Sequence, residues 1–241
     1  MFLKMNTQET FQLSASTAAL VCSAASLAFW LLLNRFRIRK NLVILSQAVI
    51  SGLIFLGSFS SMVLSIRPAI RRSKGDATAT THDITSGCIL LLLVLNEYLS
   101  VYYTVRCRII HLCAGALFAG ALAILPLSLL LPEHHIPLLS LFMIICVLGV
   151  GFVYLQYFRF EARSRTEGLD WNPSRTYIRR VLRMTSIVTS MLLPVALCVT
   201  IVTCVEPHLW AQLTMFQIAV LNLRRAIVSV YCLRIQDGSR S

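Results

Sequence analysis

The stretch "NEYLSVYYTVRCR", Asn96 to Arg108, decides how this chain is read. It closes a run of leucines, carries Glu97 as the only acidic residue of its apolar segment, and then turns basic at Arg106 and Arg108. A carboxylate is unexpected there, because the sequence on either side excludes charge over long distances.

Composition explains the exclusion. Of 241 residues, 57% are hydrophobic and 13% charged, against about 25% charged in an ordinary soluble domain. That much apolar surface does not fit inside one core of this size, so a bilayer has to solvate it, with little room for a separate soluble domain. Working outward from Glu97, charge-poor windows lie between Glu9 and Arg35, Lys40 and Arg67, Asp83 and Arg106, Arg108 and Glu133, His135 and Arg159, and Arg183 and Glu206. A seventh runs from Leu209 to Leu233. Glu97 interrupts the third window, and Arg224 and Arg225 interrupt the seventh. Each window holds a helix of ~20 residues, the length that crosses a bilayer. The expectation is an all-α membrane protein in which 1–241 is a single seven-transmembrane helix bundle, with spans at 11–33, 42–65, 84–105, 110–131, 136–158, 184–205 and 209–233.

Lys and Arg orient the spans. The first, third and fifth connections and the end of the chain hold 17 of the 22 basic residues. The N-terminus has Lys4 alone, the fourth and sixth connections have none, and the exception is "IRPAIRRSKGD" with four. The split places the N-terminus outside and the C-terminus in the cytoplasm, in the cell membrane as a multi-pass protein. The net charge of +12 is therefore a topology signal. Its residues are scattered over loops instead of gathered on one face, so nucleic acid is not an expected partner. The charge-free stretch from Thr10 to Asn34 is too long for a cleavable leader and lacks a cleavage site, so the first span serves as its own signal. No glycosylation sequon is present.

The eight cysteines form no framework. Cys22, Cys146 and Cys198 fall inside spans, and Cys107, Cys113 and Cys232 lie near the reducing face. Only Cys88 and Cys204 approach the outer ends, and no disulfide is expected between them. Gly-x-Ser-x-Gly, His-Glu-x-x-His and paired membrane aspartates are absent, so neither an enzyme nor a cofactor is expected. Glu133, His134 and His135 read as a solvated loop and not a metal site.

Four segments carry a family resemblance. "LNEYLSVYYTVRCR" resembles the end of the third helix of rhodopsin-like G-protein-coupled receptors, with Asn96, Glu97 and Tyr98 on the acidic-Arg-Tyr triplet. "NLVILSQAVISGLIF" from Asn41 resembles the start of the second helix, with Ser51 at the sodium-site aspartate. "TSMLLP" resembles the sixth-helix kink at Pro194, and "LNLRRAIVSVYCLR" resembles the Asn-Pro-x-x-Tyr segment, with Tyr231 kept. Within the family, "RRAIVSVYCLR" is most similar to fish odorant-receptor-like sequences. The resemblance implies a chemosensory receptor with a small-molecule ligand from outside and a heterotrimeric G protein inside. The sequence departs from the family in having Glu97 where the triplet has Arg, which reverses the sign of a contact made with the G protein. It also lacks the cysteines of the outer disulfide, and the interval from Ser51 to Glu97 is several residues short.

Candidate site residues follow. Asn96, Glu97, Tyr98, Arg224, Arg225 and Tyr231 form a switch or G-protein face. Glu97 and one arginine, if level in the bilayer, neutralise each other, with Asn222 as another polar partner by depth. The competing reading ends the seventh span at Leu223 and leaves both arginines in headgroups. Ser58, Ser61, Thr189, Thr200, Gln212 and Gln217 could line a pocket for a neutral or apolar ligand, since no carboxylate anchors an amine; helix packing explains them equally. Pro126 and Pro194 remove backbone donors and bend their helices. Gly115 with Ala119, and Ala116 with Gly120, set up close helix packing, inside the bundle or between two copies through the fourth helix. The segment from Glu161 to Ser174 is expected to turn instead of continuing a helix. Two other readings stand beside the receptor: a small transporter-like protein, and a non-signalling accessory protein or decayed receptor.

Overall fold

The computed structural model describes residues 7–34, 42–70, 75–104, 108–131, 134–166, 173–206 and 209–238. Among these, the regular structure is helical throughout: α1 (Thr7–Asn34), α2 (Leu42–Ile70), α3 (Gly75–Thr104), α4 (Arg108–Leu130), α5 (His135–Thr166), α6 (Pro173–Val205) and α7 (Trp210–Gly238). Five carry stretches long and apolar enough to cross a membrane: Thr10–Asn34, Ile44–Ile66, Thr81–Leu99, Arg183–Thr203 and Trp210–Arg234. In α4 and α5 the uninterrupted apolar stretches are shorter, Gly115–Ser128 and Pro137–Cys146.

Several helices outrun their charge-free windows. α3 begins at Gly75 instead of 84, α5 continues to Thr166, α6 begins at Pro173, and α7 runs to Gly238. A charge-free window measures what fits in hydrocarbon, whereas the backbone ladder continues wherever carbonyls and amides lack another partner. This corrects the expected turn after Glu161, since α5 includes 161–166. Pro173 opens α6, a position where its missing N–H costs nothing. Residues 167–172 lie outside the described part.

α1 packs against α2 and α7, α2 against α3, α4 against α5, α5 against α6, and α6 against α7, while α3 touches α4, α5 and α7 across the middle. Of the five spanning helices, α7 is the most enclosed. α2 shows how the packing is chosen. Leu42, Leu45, Val49, Leu53, Leu56 and Phe59 are exposed along one stripe, and Ser51, Ile54, Ser58, Ser61 and Ser65 are buried along another. Both stripes follow the helical period, but the serines face inward. In a bilayer, leucine gains nothing by leaving lipid, whereas small hydroxyl residues let backbones approach and find partners.

Close approach is built on Gly57 and Gly87. A Cβ on Gly57 would meet Ile89 Cγ1 of α3 at 2.7 Å, and one on Gly87 would meet Leu125 Cδ1 of α4 at 2.7 Å. The small residues of α4 behave differently. Gly115 has nothing within 4 Å of a Cβ position, Gly120 has only Ile145 at 4.0 Å, and Ala116 and Ala119 are exposed. Close packing inside the bundle is therefore not their role. Pro126 and Pro194 lie inside α4 and α6, and both are exposed.

Candidate functional site: an ionic cluster joining four helices

Glu97 on α3 is 2% exposed, and Arg224 and Arg225 on α7 are 5% and 9% exposed. α7 does not end at Leu223, and both arginines lie buried inside the bundle, midway along the helix. Adjacent helical residues diverge by about 100°, so the two guanidiniums approach the carboxylate from different sides. Arg224 Nη2 donates to Glu97 Oε2 in a direct ion pair, while Arg225 Nε stands 3.7 Å from Glu97 Oε1.

Each arginine also reaches another helix. Arg224 Nη1 donates to Thr189 Oγ1 on α6 at 3.3 Å, and Arg225 Nη2 donates to Ser51 Oγ on α2 at 3.3 Å. Asn96 turns its amide oxygen into the cluster, accepting from Arg225 Nη1 at 2.8 Å, Arg225 Nη2 at 3.0 Å and Ser51 Oγ at 3.0 Å. That orientation follows from donor and acceptor matching: the reverse one would face N–H groups with N–H groups. Four helices thus meet in one cluster, α3 and α7 through the carboxylate and α6 and α2 through the arginines. Two unit charges in contact attract by roughly 4 kcal/mol at an effective dielectric of 20. Desolvation costs several kcal/mol per ion, so the pair adds little net stability while fixing which residues must meet.

The expected partners divide. Glu97 and Arg224 come together as the depth argument allowed, and Arg225 and Asn96 join them. Asn222 does not join them, because its Nδ2 donates to Ile218 O on its own helix at 3.1 Å. Tyr98 faces away, lining a narrow apolar crevice with Val94, Phe118, Ala121, Cys146 and Gly149. Tyr231 is half-buried further along α7.

The six ligand candidates are not one lining. Thr189 belongs to the ionic cluster. Ser58 donates to Ile54 O at 2.9 Å within its own helix. Thr200 accepts from Gln217 Nε2 at 3.4 Å, joining α6 to α7. Gln212 and Gln217 are buried, and the Oε1 atom of each has no hydrogen-bond partner, as is also true of Trp210 Nε1 at the start of α7. Trp210 packs toward Gly87 of α3.

Ser61 belongs to a second polar centre that the sequence reading missed. His82 of α3, 2% exposed, meets Ser61 and Ser65 of α2 and Ser86 of its own helix, and Ser16 of α1 joins Ser61 and Ser65. The signal was present as Ser61 with Ser65 and His82 with Ser86, both at the four-residue spacing of one helical face. Beginning the third span at 84 hid it.

Cys22, Cys88, Cys113, Cys146 and Cys198 carry free thiols, and the side chain of Cys204 is not among those described. His134 is exposed; Glu133 and the side chain of His135 lie outside the described part. Among the described residues no group of three potential metal ligands gathers. No family model, curated protein or solved structure matches this chain.

Proposed function

We infer that this chain is a receptor-type, seven-span protein of the cell membrane, N-terminus outside and C-terminus in the cytoplasm, whose ionic cluster is a latch between α3 and α7. The cluster carries the reading. Polar contacts at this depth are costly unless they do something, and a pair near zero net stability suits an element with two arrangements, one closed and one broken. The ligand is a neutral, mainly apolar small molecule arriving from outside. Supporting this are the amide oxygens of Gln212 and Gln217, both buried without hydrogen-bond partners, Gln217 bonded through its Nε2 to Thr200, in the half of α7 that the orientation places outward. The outward-facing small residues of α4 suit a second copy of this chain. Coupling to a heterotrimeric G protein comes from the family resemblance alone.

A second reading, a small transporter, is favoured by the same buried arginines, which are the kind of mid-membrane charge that substrate pathways use. Two assays separate them. Cells expressing the full chain, challenged with a panel of neutral volatile and lipid-like molecules, should show a second-messenger response that Glu97→Gln alters at baseline. Absence of any response, together with flux in proteoliposomes, would replace the receptor with the transporter.

A further inference from the structure

Two buried polar groups on α7 lack the partner that burial demands. Trp210 is 3% exposed and its Nε1 has no hydrogen-bond partner; Gln217 is also 3% exposed, and its Oε1 has none. They stand on one face of the helix, since seven residues turn through about 700°, roughly 20° short of two full turns. Thr214, fully buried, lies between them on that face, its Oγ1 3.9 Å from Met143 Sδ of α5. The neighbouring contacts show where the face looks. The Trp210 ring reaches α3, with Cη2 3.5 Å from the Cβ position of Gly87, and Gln217 Nε2 donates to Thr200 Oγ1 of α6 at 3.4 Å. The face is therefore turned to the interior bounded by α3, α5 and α6. Gln212 stands about 200° round from Trp210, so its amide oxygen is reached from another side of α7.

The two groups are opposite in kind. An indole N–H only donates, and an amide oxygen only accepts. Burial of either without a hydrogen bond is costly, and nearly all buried polar groups in folded proteins have one. They do not satisfy each other, because a rise of 1.5 Å per residue sets them about 10 Å apart along the helix. The same separation excludes one bridging water. A separate water at each group needs about two to four polar partners, and beside the Trp210 ring the side chain crowding Gly87 is that of Leu125.

We propose, on the small-molecule reading above, that this face of α7 binds a neutral, elongated molecule with a hydroxyl-like group at each end of an apolar body. One end accepts from Trp210 Nε1 and the other donates to Gln217 Oε1, about 10 Å away along the helix. The apolar body lies over Thr214 and Met143. Selectivity comes from the two ends together. A purely apolar molecule of the same length leaves both protein groups unpaired, and a molecule with one polar end leaves one.

The test is equilibrium binding of tritiated 1,8-octanediol to the full-length protein in lipid nanodiscs, with empty nanodiscs as the blank. Unlabelled 1,8-octanediol, 1-octanol and octane then compete with it. A plain apolar crevice ranks them by hydrophobicity, octane first and the diol last. The two-ended site reverses that order, with the diol about two- to tenfold tighter than 1-octanol for the hydrogen bond it adds. Trp210→Phe and Gln217→Leu each remove one end and should abolish the advantage of the diol over 1-octanol. Tighter binding of 1-octanol than of the diol, or the wild-type order kept in both variants, would overturn the proposal. Specific binding of none of the probes overturns it as well, and leaves the two groups to water. If neither variant folds, the wild-type ranking alone decides. Octane and 1-octanol ahead of the diol leave the apolar-ligand reading above in place and remove this one. A tightly bound diol with no second-messenger response removes the receptor and keeps the site.

Discussion

Glu97 and Arg224 lie 127 positions apart in sequence and form one buried ion pair between α3 and α7. Arg225, next in the chain, reaches the same carboxylate only at 3.7 Å and is held mainly by Asn96 and Ser51. The cluster therefore has a near and a far cation on one acid.

A double-mutant cycle should separate the two. Glu97→Gln with Arg224→Gln, read by unfolding in detergent, should show coupling above about 1 kcal/mol. Glu97→Gln with Arg225→Gln should show less, because distance weakens the attraction and neutral groups already satisfy that guanidinium. Removing one partner alone strands a buried charge and should cost about 3–5 kcal/mol. Additivity for both pairs would mean that neither contact holds the helices together.

The glycines give a contrast within one residue type. Gly57→Ala and Gly87→Ala push a methyl to 2.7 Å from Ile89 or Leu125 and should destabilise by about 1–3 kcal/mol through overpacking. Gly115→Ala meets open space and should be neutral or add up to ~1 kcal/mol, the helical advantage of alanine over glycine. Melting of the three variants side by side decides it. If Gly115→Ala is as damaging as the others, α4 has a close neighbour, and cross-linking at Cys113 should then trap a second copy.

Topology is the third expectation. A tag placed before Phe11 should be open to protease on intact cells, and one after Ser241 should be protected. A protected N-terminal tag would invert the chain, turning the His82 end of α3 inward and the Glu97 end outward, with the contacts inside the bundle unchanged.

Much of this was legible along the chain. Charge inside a charge-poor window is visible in one dimension, and a rise of 1.5 Å per residue turns position in a window into depth. Glu97 and one of Arg224 or Arg225 could therefore be weighed as partners, on the condition of similar depth, before any packing was known. The same arithmetic failed at the ends, where α3, α5, α6 and α7 outrun their apolar windows because backbone hydrogen bonding does not stop at a charged side chain.

What depth could not supply was direction. The sequence by itself determined that the chain is built of helices suited to a bilayer and that opposite charges interrupt two of its apolar windows. Only the tertiary structure decided that Thr189 and Ser51, not Asn222, complete the cluster, and that Ser61 serves His82 instead of a common pocket. It also decided that the small residues of α4 face outward. The reason is physical. In lipid, hydrophobicity does not mark the inward side of a helix, and a serine that packs, one that caps its own carbonyl and one that holds a histidine look alike in sequence. The rotation of each helix about its axis, set by neighbours far away in the chain, tells them apart.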